Sequence, residues 1–127
     1  MRFDLAIECI TKNYASFKGR ASRSEYWSYI IIAALPSYLL LFYVGGWIDS
    51  NPDSDSFQAT IGVLFTLIIF LVLFLPTLAV TVRRLHDLNR SGWWVLLTMI
   101  PGVYLLLLIA FLFKGSAGEN KYGPELG

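Results

Sequence analysis

The sequence predicts an all-α membrane protein: an N-terminal amphipathic interfacial helix followed by three transmembrane helices in a single membrane domain, residues 1–127. Three uncharged apolar runs carry that prediction: Trp27–Trp47, Phe57–Val82 and Trp93–Phe113, of 21, 26 and 21 residues. None contains Asp, Glu, Lys, Arg or His. A helix needs roughly 20 apolar residues to cross a hydrocarbon core about 30 Å thick. Their unbroken apolar character is the second observation. Lipid admits only helices and closed barrels, and barrel strands alternate over about 10 residues. Composition agrees, with 56% hydrophobic residues and a mean hydropathy of +0.59. In water such runs would form an aggregation surface.

The elements follow in order. Phe3, Ile7, Ile10, Tyr14 and Phe17 recur at spacings of 4, 3, 4 and 3. That is one stripe of a helix over 3–17, with Asp4, Glu8, Lys12 and Asn13 polar, so the helix lies in the membrane interface or against the ends of the bundle. Asp4 and Glu8 also interrupt any signal-peptide core, so no cleaved leader is expected. Lys18-Gly19 breaks the helix. Ser22-Arg23-Ser24-Glu25 reads as a capping box, with Ser22 at the N-cap and Glu25 at N3. Span one, 27–47, has Tyr26, Trp27 and Trp47 as interface anchors at its ends. An acidic loop, Ile48–Ser56, follows. Span two, 57–82, is about 39 Å long as a helix and must tilt or protrude. It runs into Arg83-Arg84-Leu85-His86-Asp87-Leu88-Asn89-Arg90. Span three, 93–113, opens on the anchors Trp93 and Trp94 and contains Pro101-Gly102. The tail, 114–127, is polar and glycine-rich. Pro36, Pro76 and Pro101 each remove a helix hydrogen bond, which neighbouring helices can re-satisfy.

Orientation follows from Lys and Arg counts. Residues 1–26 hold five, 48–56 none, 83–92 three and the tail two. A cytoplasmic N-terminus therefore places eight inside and two outside, with the tail outside after three spans. A break at Pro101-Gly102 into a re-entrant hairpin is the alternative, and it returns Lys114 to the cytoplasmic side.

Two basic, aromatic-flanked segments then meet at the cytoplasmic surface: Phe17-Lys18-Gly19-Arg20-Ala21-Ser22-Arg23-Ser24-Glu25-Tyr26-Trp27, and the run from Arg83 to Trp94. With the tail's Gly118-Glu119-Asn120-Lys121-Tyr122-Gly123-Pro124, they follow the order F-x-G-R-x-x-R-x-E-Y-W, R-R-x-H-D-x-x-R-S-G-W-W, G-x-N-x-Y-G-P. In these three blocks the chain resembles the bacterial inner-membrane family filed as domain of unknown function 805, the YhaH-like proteins, over nearly its whole length. The resemblance implies a small multispanning protein of the bacterial cytoplasmic membrane and assigns no activity.

The candidate site is the cluster Arg20, Arg23, Glu25, Arg83, Arg84, His86, Asp87 and Arg90. Asp87 lies within helical reach of Arg83, Arg84 and Arg90, and Glu25 can bridge the two segments. One reading is an ion-pair network that locks the bundle. The other is an anion or lipid-headgroup site, because five guanidiniums against two carboxylates leave an excess positive charge suited to phosphate. His86 beside Asp87 is a candidate general base, but adjacent helical residues point about 100° apart, and no catalytic residue is assigned. His86 is also a candidate pH sensor.

Several classes are disfavoured. One His and one Cys, Cys9, cannot make a closed zinc site or an intrachain disulfide. Asp49, Asp53 and Asp55 lack the turn glycine and terminal Glu of an EF-hand. No metal or cofactor is expected. A net charge of +1 gives no basic field for nucleic acid. The spans hold no ionisable side chain other than tyrosines and so mark no ion path, and Gly45-Gly46 and Gly62 form no GxxxG face. The leading expectation is a non-enzymatic component binding anionic membrane lipids, a second copy or a membrane partner. The alternatives are a subunit of a small oligomeric transporter or channel, and an interfacial enzyme on phosphorylated lipid.

Overall fold

The computed structural model of the chain describes residues 2–53 and 55–125, and among them the fold is helical, with one isolated bridge, Asn120 to Gly123. Helix α1 spans Phe3–Ile10. Helix α2, Arg23–Tyr29, continues through a π-helical turn, Ile30–Ala34, into α3, Leu35–Ser50. Helix α4 runs from Ser56 to Asp87. A 3-10 helix over Gly92–Met99 precedes α5, Pro101–Phe111. Two helical stretches are long and apolar enough to cross a membrane: Arg23–Ser50, of 28 residues, and Ser56–Asp87, of 32. At 1.5 Å per residue they measure about 42 and 48 Å.

Helix α1 is shorter than the expected 3–17. The Thr11 hydroxyl donates to the Ile7 carbonyl at 2.8 Å, and Asn13 N–H reaches Glu8 O. Thr11 itself leaves the helical region, at φ −106° and ψ −82°, and the Asn13 bond spans five residues, so the helical ladder ends there. The chain turns at Thr11–Ala15 instead. That turn sends the Tyr14 phenol to the carbonyl of Val72 in α4. Val72 is the residue whose carbonyl Pro76 leaves without an amide donor, so α4 carries its internal proline without a break.

Ser22 caps α2 as expected, its hydroxyl accepting from Glu25 N–H at 3.2 Å. Only this half of the capping box forms, because the Glu25 carboxylate turns to Arg83. The π-turn lies directly before Leu35-Pro36, where a proline ring would clash with the carbonyl four residues earlier; widening the helix relieves that crowding.

The third apolar run is corrected: it is not one helix over 93–113. Ile100 is extended, φ −102° and ψ 110°, as the residue before a proline prefers, and Pro101 starts α5 at a position where a missing N–H costs nothing. Both ends of the run meet the same end of α4. A Cβ on Gly92 would lie 2.9 Å from Val82 Cγ1, and Arg84 donates to the Phe111 carbonyl at 3.0 Å. The tail is likewise corrected. It packs on the end of α4, not on the far side of the bundle from Arg83–Arg90.

The buried core of Cys9, Tyr26, Tyr29, Val80, Leu85, Leu107 and Phe111 gathers at that same end. From Phe42 to Ile68, Thr66 alone among the described residues is buried. Here α3 and α4 pack on each other, approaching where a Cβ on Gly62 would lie 3.4 Å from Val44 Cγ1.

Candidate functional site

The C-terminal end of α4 is closed by a full Schellman motif. Arg90 N–H bonds to Leu85 O and Asn89 N–H to His86 O, with Asn89 in the left-handed region at φ 56°. This is the arrangement that satisfies terminal carbonyls. The tail completes the capping. Ser116 donates to the Asp87 carbonyl through both its amide, at 2.7 Å, and its hydroxyl, at 3.0 Å, and Asn120 Nδ2 donates to His86 O at 3.0 Å.

Three arginines are buried in this cap. Arg20 pairs with Asp87 Oδ1 through Nε and Nη2, both at 2.8 Å. Its remaining N–H groups donate to the carbonyls of Ser116, Gly118 and Gly123. Arg84, fully buried, pairs with Asp87 Oδ2 and donates to the carbonyls of Ala21 and Phe111. Its Nε alone, among the described side chains, is buried without a partner. Arg83 pairs with Glu25, and its Nε donates to the Ser16 carbonyl at 3.1 Å. Buried charges require this degree of pairing. Loop 16–21, α2, α4, α5 and the tail therefore meet on three guanidiniums.

The other cluster members stand apart. Arg23 is exposed and donates to the Leu112 carbonyl at 3.2 Å, at the C-terminal end of α5. Arg90 is exposed, 5.0 Å over the Trp94 ring. His86 has Nδ1 2.9 Å from the Gly19 carbonyl, which fixes that nitrogen as the donor, and its ring stacks on Tyr122 at 3.9 Å. His86 and Asp87 do not bond each other. Among the expected anchors, Tyr26 is buried against Phe111, Trp27 donates from Nε1 to Phe111 O, and Trp47, Trp93 and Trp94 are exposed. No cluster of three metal-ligating side chains occurs among the described residues.

Sequence reasoning missed Gly115, Ser116, Asn120 and Tyr122 as parts of the cap. A Cβ at Gly115 would overlap the Asp87 carboxylate, so only glycine fits there. The signal was present in the third motif block, whose glycines, Asn and Tyr stand at fixed places in an otherwise loop-like tail. Burial pushes the Cys9 thiol up to about 11, with the Glu25 carboxylate adding to the effect.

Fold and cap together define a small helical protein with two stretches long and apolar enough to cross a membrane, knit at one end by buried arginines. The chain belongs to the family described as "Protein of unknown function (DUF805)", which matches residues 14–124. It is 40% identical over 119 residues to "Inner membrane protein YhaH" of Escherichia coli (strain K12), covering 91% of each chain. It is 38% identical over 124 residues to "Inner membrane protein YhaI" of the same strain, covering 93% of each. It is 32% identical to "Uncharacterized protein YiiR" over 136 residues, covering 87% of this chain and 85% of that one. No solved structure matches it.

Proposed function

We propose that this is a non-enzymatic component of the bacterial cytoplasmic membrane that binds membrane lipid, with its N-terminus and arginine cap on the cytoplasmic side. On this reading Arg23–Ser50 and Ser56–Asp87 cross the bilayer. The third run enters as a re-entrant hairpin and returns, with α1 lying in the cytoplasmic interface and exposing Phe3 and Ile7. The observation that carries it is the exposed apolar surface of the two long helices, Phe42, Phe65 and Ile68 among it, while Arg20, Arg83 and Arg84 are occupied by the chain's own carboxylates and carbonyls. Those forks serve as a clasp. Headgroup contact falls to the exposed Arg23 and Arg90, and lipid binding to the surfaces inside the bilayer. His86, held on a carbonyl and stacked on a tyrosine, is placed for structure rather than for proton transfer. The basic asymmetry of the sequence sets the orientation.

Native mass spectrometry from lipid nanodiscs tests the binding: retained phospholipid on the folded chain is expected, and a bare chain would overturn it. Impermeant thiol labelling tests the topology in intact cells. Asp53→Cys should label and Ser116→Cys should label only after lysis; labelling of Ser116→Cys in intact cells would sink the re-entrant reading.

A further inference from the structure

We propose that the cleft between the π-turn and α3 on one side and α4 on the other holds an acyl chain of a membrane lipid. This deepens the lipid-binding reading above and rests on it. The cleft encloses about 540 Å³. Its α4 wall runs from Thr66 to Thr81 and its opposite wall from Ile30 to Leu41, and the re-entrant run closes it with Val95, Thr98 and Tyr104. From Thr66 to Thr81 is about 22 Å along the helix, longer than one leaflet of a hydrocarbon core about 30 Å thick.

Chemistry decides between occupants. No Asp, Glu, Lys, Arg or His lines the cleft. Its serine and threonine hydroxyls donate to carbonyls of their own helices: Ser37 to Ala33, Thr66 to Gly62, Thr77 to Leu73, Thr81 to Thr77 and Thr98 to Val95, at 2.6 to 2.9 Å. With those protons engaged, the threonine methyls and the neighbouring apolar side chains form most of the wall, and the phenols of Tyr38 and Tyr104 are its remaining side-chain polar groups. A polar occupant would lose hydrogen bonds on entry, and an alkyl chain loses none. Because lipid is already apolar, the chain gains no hydrophobic energy by entering. It is held by dispersion contacts with walls on several sides, so the signature is a preferred position and a retained lipid rather than a large affinity.

The test uses vesicles of phosphatidylethanolamine and phosphatidylglycerol carrying a trace of phosphatidylcholine with a mid-chain diazirine. After irradiation, adducts are mapped by peptide mass spectrometry on the full chain. Adducts concentrated on cleft residues such as Leu73 and Thr77, above the exposed Ile68 and Leu71 outside it, are expected. Ala34→Phe, which fills the cleft, should abolish that concentration and the retained lipid in native mass spectrometry, with the helical circular dichroism signal unchanged. The wild-type map stands alone should this variant fail to fold. Lipid retained with adducts spread evenly around the exposed helices would overturn the cleft proposal and leave the lipid-binding reading intact. No retained lipid at all would overturn both. Covalent dimers from a photoreactive side chain at position 34 would replace the acyl chain with a second copy.

Discussion

The phenol of Tyr14 donates to the carbonyl of Val72, 58 positions away, the acceptor that Pro76 deprives of its helical amide. A turn at the end of α1 thus repairs a defect in the middle of α4. Tyr14→Phe should destabilise the protein by about 1 kcal/mol, the worth of one hydrogen bond. In a Pro76→Ala background the amide returns, and the same substitution should cost much less. A thermal double-mutant cycle in detergent measures the coupling. Additive losses would disprove the repair.

Asp87 is the only carboxylate shared by two buried arginines, Arg20 and Arg84, among the described residues. Removing its charge strands both guanidiniums. Asp87→Asn should cost about 3–5 kcal/mol. It should also free the tail, which limited proteolysis near Ser116 would detect. A variant with wild-type melting and an equally protected tail would show the pairing to be incidental.

Gly115 stands against that carboxylate. Gly115→Ala introduces a methyl group overlapping Asp87 Oδ1 and Oδ2, which two arginines hold in place. The expected loss in melting temperature is comparable to that of Asp87→Asn. Gly118→Ala, which meets no neighbour within 4 Å, is the control. Its strain is confined to a φ of 69° and costs about 1–2 kcal/mol. Equal, small effects at both positions would contradict the packing.

Asn89 sits at φ 56° in the Schellman turn. Asn89→Gly should be neutral or slightly stabilising, and Asn89→Val should cost about 1–2 kcal/mol. Chemical denaturation monitored by tryptophan fluorescence ranks the pair, and the reverse order would refute the turn assignment.

Cys9 is fully buried, and burial raises its thiol from 9.0 to about 11. The sign follows from linkage. A raised folded-state value means the neutral thiol contributes stability in full below about pH 9. That contribution fades as pH rises through about 11. Folded protein at pH 8 should resist iodoacetamide, while denatured protein reacts. The melting temperature of Cys9→Ala should fall less than wild type between pH 8.5 and 10.5. Rapid alkylation of the folded chain at pH 8 would refute the burial.

Apolar continuity made the two long helices legible, because lipid removes the polar face that usually confuses such reading. The Ser22 cap and the Glu25 bridge were legible from spacing and charge. The break at Ile100 was visible only as an alternative, since Pro101 is equally at home inside a kinked helix and at the start of a new one. The early end of α1 lies in the backbone turn at Thr11–Ala15, which the apolar stripe through Tyr14 and Phe17 does not report. In the cap, charge counting grouped all five arginines. It could not say that Arg20, Arg83 and Arg84 are buried while Arg23 and Arg90 lie outside, because carbonyl acceptors have no sequence identity. The tail's role was hidden for the same reason: Ser116 and Asn120 act on backbone groups of α4.

The crowding of α1, α2, the hairpin and the tail around one end of α4, with α3 and α4 alone beyond Phe42, makes the molecule a wedge. On the proposed orientation its footprint is broad in the cytoplasmic leaflet and narrow in the outer one. A wedge of this sense is least strained where the membrane bulges toward the cytoplasm, and most strained at the cell poles, where the inner leaflet is compressed. On that orientation, copies of the protein are expected to distribute with the curvature of the envelope.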